Sequence, residues 1–286
     1  MSKNNSKKNN STQIPQIIIK TGHFLEFIST KLATRYAAKL FTTPIKHKMP
    51  NREHEMDRNS IQSELFIPII DKKIVVYEYS KSSKKVLLVH GWSGRGTQLY
   101  KIADELIKNG FSTVSFDAPA HGKSPGDSSI MVEYIESILE IDKKFGPFDA
   151  VIGHSLGGIS LLNSISAGLK TNKLVSISTG NFVIDIFKDF IKNIKMKPQQ
   201  VDLLRVHFEN KYKETMDSLS SYNHIPKIKI PILVIHDEND EEIPVDCAYQ
   251  IAQHFVNGQL FITKGQGHRK ILGDGTVIDA IIKFIV

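Results

Sequence analysis

The chain has 286 residues, 41% of them hydrophobic and 23% charged, the balance of a soluble globular protein with enough length for one large core. A single cysteine, Cys247, excludes an internal disulfide framework, and no apolar run approaches the roughly 20 residues a membrane-spanning helix needs. The net charge of +7 does not describe a nucleic-acid-binding domain, because residues 1–60 hold 11 Lys/Arg against 4 Asp/Glu while the remainder holds 26 of each.

Residues 1–13 are polar and Asn/Ser/Lys-rich, which predicts disorder, and they lack the apolar core of a signal peptide. With one cysteine, this favours a reducing, cytoplasmic setting. Residues 16–42 read as one helix. Ile18, Leu25, Ile28, Leu32, Tyr36 and Leu40 recur at helical steps, and Pro44 ends the pattern. Lys20, Lys31, Arg35 and Lys39 lie beside that stripe. The pattern fits a helix packed on the domain with its lysines solvated; it also fits weak membrane-surface contact through residues 16–42, a peripheral placement. Residues 45–60 read as a charged linker, so residues 1–60 form a basic N-terminal extension and 61–286 the main domain.

From Glu64 the pattern changes. Leu65–Ile70 and Ile74–Tyr79 read as an antiparallel pair. The run Val86-Leu87-Leu88-Val89 is apolar throughout, as in a strand buried on both faces. A helix over Thr97–Lys108, a strand at Thr113–Phe116, a helix over about Ile130–Phe145, a strand at Asp149–Ile152 and a helix over Leu156–Leu169 follow. Leu174–Ile177, Ile232–Ile235 and Leu260–Ile262 complete the strands, with helices near Val245–Phe255 and Thr276–Phe284. This alternation predicts an α/β fold: a mostly parallel sheet flanked by helices, with an antiparallel hairpin at one edge. About 50 residues between Gly180 and Pro231 break the alternation with helical patterning (Phe187, Phe190, Ile191, Ile194, Leu203, Leu204, Phe208, Tyr212). They are too long for a connection and predict a small helical cap, about 181–230, over the carboxyl ends of the strands. Its aromatic residues read chiefly as its own core.

The chemistry concentrates in three segments. Gly153-His154-Ser155-Leu156-Gly157 lies between a buried strand and a helix, the setting of a nucleophile elbow. The sharp turn needs glycine on both sides, lifts the Ser155 hydroxyl above the sheet, and sets the Leu156 N–H at a helix N-terminus to meet an oxyanion. The loop His90-Gly91-Trp92-Ser93-Gly94 follows the earlier buried strand and offers the Trp92 N–H as a second donor. His90 shapes this loop, and His90, Gly91, His154 and Phe182 are candidates to line a substrate pocket. A serine nucleophile needs a base and an orienting carboxylate. His268, on a glycine-flanked loop after the last strand, is the candidate base. The run from Asp237 to Glu242 offers five carboxylates.

With these parts in the order serine, acid, histidine, residues 64–286 resemble the α/β-hydrolase superfamily, and look most like its bacterial esterase and lysophospholipase-like members. The matching segments are HGW at His90–Trp92, DAPAHGKS at Asp117–Ser124, GHSLGG at Gly153–Gly158 and GQGH at Gly265–His268. The resemblance implies the α/β-hydrolase fold and a Ser155–His268–Asp240 triad, since the family pattern His-Gly-x-x-Asp aligns its acid with Asp240. Asp237 stands where that pattern has glycine, which keeps Asp237 and Glu238 as alternative acids. The resemblance also makes His121 structural. The implied activity is hydrolysis of a carboxylic ester, lipid-like esters included, through an acyl-enzyme. A thioesterase or acyltransferase would use the same triad, and a non-catalytic binding protein could share the fold. No metal or cofactor is expected: His236 and its carboxylates read as a solvated acid loop, and Gly91–Gly96 lacks the lysine of a phosphate-cradling loop.

Overall fold

A computed structural model describes residues 14–286, so the expectation of disorder over residues 1–13 lies outside the described residues. In chain order the elements are α1 (Gln16–Ile28), α2 (Thr30–Thr42), α3 (His54–Asn59), β1 (Ile61–Ile67), β2 (Lys72–Tyr79), β3 (Lys85–Val89), α4 (Tyr100–Lys108), β4 (Ser112–Asp117) and α5 (Met131–Phe145). There follow β5 (Phe148–His154), α6 (Leu156–Ser166), β6 (Thr171–Ile177), α7 (Val183–Asn193), α8 (Gln200–Tyr212), β7 (Ile232–Asp237), α9 (Asp246–Ala252), β8 (Gly258–Thr263), α10 (Gly267–Lys270) and α11 (Gly275–Ile285). They form two compact units: residues 14–41 with 184–214, and residues 42–183 with 215–286.

The larger unit is built on one eight-stranded sheet in the order β1-β2-β4-β3-β5-β6-β7-β8. β1 and β2 are antiparallel, β2 meets β4 antiparallel, and every pair from β4 to β8 is parallel. This is the α/β-hydrolase fold that the resemblance implied. The apolar runs belong to strands covered on both faces, and the two-residue period of a strand sorts their side chains between two cores. Leu87 and Val89 of β3, Val151 of β5, Leu174 of β6 and Val234 of β7 face one core, with Tyr134 and Ile138 of α5, Leu161 of α6 and Ile251 of α9. The intervening residues Val86, Leu88, Ile152, Val175 and Ile235 face the other, with Ile102 and Leu106 of α4 and Val277 and Ile281 of α11. The parallel strands all end at one sheet edge, where Val89 pairs with Gly153, His154 with Ile177, and Asp237 with Thr263. The loops leaving β3, β5, β7 and β8 therefore start side by side.

Residues 45–60 are not a linker. They form a 3-10 turn (Asn51–Glu53) and α3, with Met56 buried in the second core. Glu53 is buried too, accepting from the Thr97 hydroxyl at 2.8 Å and facing Arg95 Nε at 3.6 Å. Composition reports the charges of this segment but not that they meet partners. Residues 215–230 likewise join the larger unit through three short 3-10 turns, with Ile225 and Ile228 in its core.

In the smaller unit, α1 and α2 pack with α7 and α8. The Phe41 ring lies 5.0 Å from Phe187, 5.1 Å from Phe190 and 5.5 Å from Phe208, and the buried Thr34 hydroxyl donates to Gln200 Oε1 at 2.8 Å. The single helix expected over residues 16–42 is broken at Ser29, which is extended (φ −160°, ψ 119°) and whose hydroxyl accepts from the Leu32 N–H at 3.4 Å. A serine that offers its hydroxyl to the following turn favours such a start. The break rotates the helical frame, so Ile19, Ala33, Ala37 and Ala38 are buried while Ile28 and Leu32 of the expected stripe are exposed. Among the described residues no helix is long and apolar enough to cross a membrane.

Candidate active site

The turn from β5 into α6 carries Ser155 at φ 53°, ψ −119°, a left-handed backbone that a side-chain-bearing residue adopts only under constraint. The constraint is visible. The Ser155 N–H donates to Ile177 O at 2.9 Å, and its carbonyl accepts from Gly158 N at 3.0 Å. A Cβ on Gly153 would come within 2.6 Å of the Gly157 carbonyl carbon, and one on Gly157 within 2.4 Å of Val89 O. The elbow thus admits no side chain at either position, and Gly157 sits directly behind the loop after β3.

That loop presses on Ser155: a Cβ on Gly91 would lie 3.0 Å from Ser155 Cβ and 3.0 Å from His154 Nδ1. The N–H groups of Trp92 and Leu156 have no hydrogen-bond partner among the described residues, whereas the neighbouring Ser93 and Gly94 N–H groups are taken by His121 Nε2 and Gly91 O. His90 holds the loop from behind. It is buried, its Nε2 accepts from Ala118 N at 3.0 Å, and its Nδ1 therefore donates to Gly91 O at 2.7 Å.

His268 donates from Nδ1 to Asp240 Oδ2 at 2.8 Å, with both side chains almost wholly buried. The other Asp240 oxygen accepts from the Glu242 and Ile243 N–H groups, each at 2.9 Å. Burial opposes ionisation of Asp240, but the hydrogen bonds from His236, His268 and Ile243 outweigh it and hold its carboxyl well below the usual carboxylate range. The two alternative acids lie elsewhere. Glu238 is exposed and faces Lys264 at 3.1 Å, and Asp237 turns its carboxylate to backbone amides rather than to an imidazole. Glu242 comes within 3.9 Å of His268 Nε2 but is half-exposed and paired with Arg269 at 3.0 Å.

Three further buried histidines have partners of their own. His154 Nε2 donates to His268 O at 2.8 Å, and the two rings lie 4.7 Å apart. Burial, then the nearby His268, lowers its pKa to about 3. Burial lowers His121 to about 4 and takes His90 well below the ordinary value. Among the described residues none of these three imidazoles meets a carboxylate, whereas His268 does. Of the pocket candidates, Gly91 lies against Ser155 and His154 behind His268, while His90 is buried behind its loop and Phe182 packs on Tyr222 at 5.0 Å. A cavity of about 230 Å³ beside the same loops is lined by Lys46, Ser93, Arg95, His121 and Lys123 among others, but by none of Ser155, Asp240 and His268. No group of three metal-ligating side chains occurs among the described residues.

Sequence reasoning did not foresee that Asp237, Asn239 and His154 hydrogen-bond to the backbone of residues 265–268. The only local signal was Asp237 in place of a glycine.

A family model described as the alpha/beta hydrolase family matches residues 86–273, from β3 to just beyond α10. No curated protein matches the chain. Solved structures share the fold. The Pyrococcus furiosus esterase Pf2001 is similar at 17% identity and a TM-score of 0.64, over 85% of this chain and 95% of that one. A putative lipase from Acinetobacter baumannii AYE is similar at 18% and 0.62, over 84% and 97%. An esterase from Exiguobacterium antarcticum is similar at 15% and 0.61, over 79% and 99%.

Proposed function

The chain belongs to the alpha/beta hydrolase family, and on that premise we propose that it is a serine hydrolase that cleaves carboxylic esters through an acyl-enzyme. The observation that carries this reading is the His268 Nδ1–Asp240 Oδ2 hydrogen bond of 2.8 Å, delivered beside the strained Ser155 turn. With Nδ1–H given to the carboxylate, Nε2 is the nitrogen that accepts a proton. Ser155 Oγ attacks the ester carbonyl while His268 Nε2 takes its proton, and Asp240 stabilises the imidazolium. The free Trp92 and Leu156 N–H groups receive the oxyanion. His268 then returns the proton to the departing alkoxide; in the second half it takes a proton from water, which attacks the acyl carbon, and hands that proton to Ser155 Oγ as the serine leaves. No hydrogen bond joins Ser155 Oγ to His268 among the described residues; such contacts commonly tighten only when substrate binds.

A fluorophosphonate probe tests the nucleophile. The protein should be labelled at Ser155 and lose esterase activity, and Ser155→Ala should neither label nor turn over short-chain esters. Activity that survives Ser155→Ala would sink the assignment. Offering ester and thioester substrates with and without an alcohol acceptor separates hydrolysis from acyl transfer.

We propose further that the substrate is presented at an anionic lipid surface. The support is the face of α1 that leaves Phe24 62%, Phe27 88% and Ile28 55% exposed next to the exposed Lys20 and Lys31. Phe27→Asp should release the protein from vesicles containing anionic lipid without lowering short-chain esterase activity. Vesicle binding that is absent in the unaltered protein, or undiminished in this variant, rules the surface out.

A further inference from the structure

The turn that leads into α10 and His268 hangs on side chains. The Gly265 N–H donates to Asn239 Oδ1 at 3.0 Å, the Gln266 N–H to Asp237 Oδ2 at 3.0 Å, and the Gly267 N–H to Asp237 Oδ1 at 2.9 Å. The carbonyl of His268 itself accepts from His154 at 2.8 Å. Gly265 and Gly267 have φ of +87° and +61°, a region glycine enters freely, so local backbone preference does not lock this turn. Its shape comes from the acceptors placed around it.

Asp237 supplies most of them. It is the last residue of β7, fully buried and paired in register with Thr263 of β8. Its carboxylate also accepts the Thr263 hydroxyl at 2.8 Å and the Asn239 N–H at 2.9 Å, giving four donors on two oxygens. No Lys or Arg nitrogen lies within ion-pair distance among the described residues. Burial opposes its ionisation, but the Gly267, Gln266, Thr263 and Asn239 donors prevail and keep the carboxyl below its ordinary range. One buried anion therefore ties the loop that bears Asp240, through Asn239, to the turn that leads into α10 and His268, through Gln266 and Gly267.

We propose that Asp237 is a positioning residue that sets the His268 imidazole against Asp240 and Ser155. The inference rests on the Ser155–His268–Asp240 reading. It accounts for an aspartate where the resembling pattern has a glycine: a glycine would leave three backbone N–H groups and the Thr263 hydroxyl without this acceptor. A neutral amide would accept through one atom and oppose the donors with the other.

The test compares Asp237→Asn with the unaltered full-length protein on a short-chain aryl ester, with active sites titrated by the fluorophosphonate. Displacing a catalytic group by a fraction of an ångström to 1 Å costs up to about 100-fold, so kcat per titrated site should fall about 10- to 100-fold. KM should change by less than about threefold, since substrate binding is untouched. The low-field proton resonance of the His268–Asp240 hydrogen bond should shift or broaden. A kcat per site within about twofold of the unaltered protein overturns the role, and so does a rate loss that comes wholly from fewer titratable sites. If Asp237→Asn does not fold, Thr263→Val removes one donor from the carboxylate; it should lower kcat by a few-fold at constant KM, and an unchanged kcat overturns the proposal. An unaltered protein that neither labels at Ser155 nor cleaves esters overturns the hydrolase reading itself. A labelled, active protein beside an equally active Asp237→Asn overturns the positioning role alone.

Discussion

Ser155 and Asp240 are both held in states an isolated residue would avoid, one by backbone strain and the other by burial of charge. The strain at Ser155 is supported by the bond to Ile177 O and by the absence of side chains at Gly153 and Gly157. The charge on Asp240 is supported by two backbone amides and two imidazoles. Replacing it by asparagine keeps the shape but favours the wrong imidazole tautomer, so Asp240→Asn should lower kcat by on the order of 10⁴-fold. Glu238→Gln, on an exposed side chain, should stay within about twofold of the unaltered rate. Comparable losses in both variants would refute the choice of acid. This choice was only half legible in the sequence, which placed five carboxylates within six residues. Which one meets the imidazole depends on a loop 28 positions away.

At the scale of elements, the turns do more than connect. Asp274 caps α11, its carboxylate accepting from the Thr276 and Val277 N–H groups at 3.0 and 3.1 Å. Asp274→Ala should cost about 1 kcal/mol of unfolding free energy and leave kcat per active site unchanged. Denaturant titration measures the first, and a loss under about 0.3 kcal/mol would show that the cap is dispensable. The helices and strands of the sheet were legible to within a few residues, because apolar period and glycine or proline stops act locally. The break at Ser29 was not. Helical steps continue across it in the sequence, and only the packing of α2 shows which residues are buried.

For the molecule as a whole, acid sensitivity follows from its buried imidazoles. His90, His121 and His154 are neutral when folded, with values below the ordinary 6.5, at about 4 for His121 and about 3 for His154. Below pH 6.5 the unfolded chain binds protons that the folded chain refuses, so their contribution is complete above 6.5 and declines as the pH falls toward the folded values. The carboxyls of Asp237 and Asp240, held low when folded, add a second loss that begins near the ordinary carboxylate value of about 3.9. Unfolding free energy should therefore fall steadily from pH 7 to pH 4, and His121→Gln should flatten that slope. A stability constant between pH 7 and pH 4.5 would contradict this account. The pairing of residues 14–41 with 184–214 also belongs to this scale. Nothing in either segment's own pattern names the other, although the buried faces of Phe41, Phe187 and Phe208 depend on it.

The sequence alone determined the sheet and the glycine-flanked turn at Ser155, because each follows from properties a short segment carries with it. Apolar runs leave water, and glycines relieve crowding at a sharp turn. Only the tertiary structure decided which carboxylate meets His268, which helices pack on residues 14–41, and what holds the turn before His268. Those depend on which distant groups come within hydrogen-bond reach at the sheet's edge. Asp237 shows the difference: in the sequence it is a departure from a pattern, and in the fold it is an acceptor for four donors, from the loop after β7, the end of β8 and the turn that follows β8.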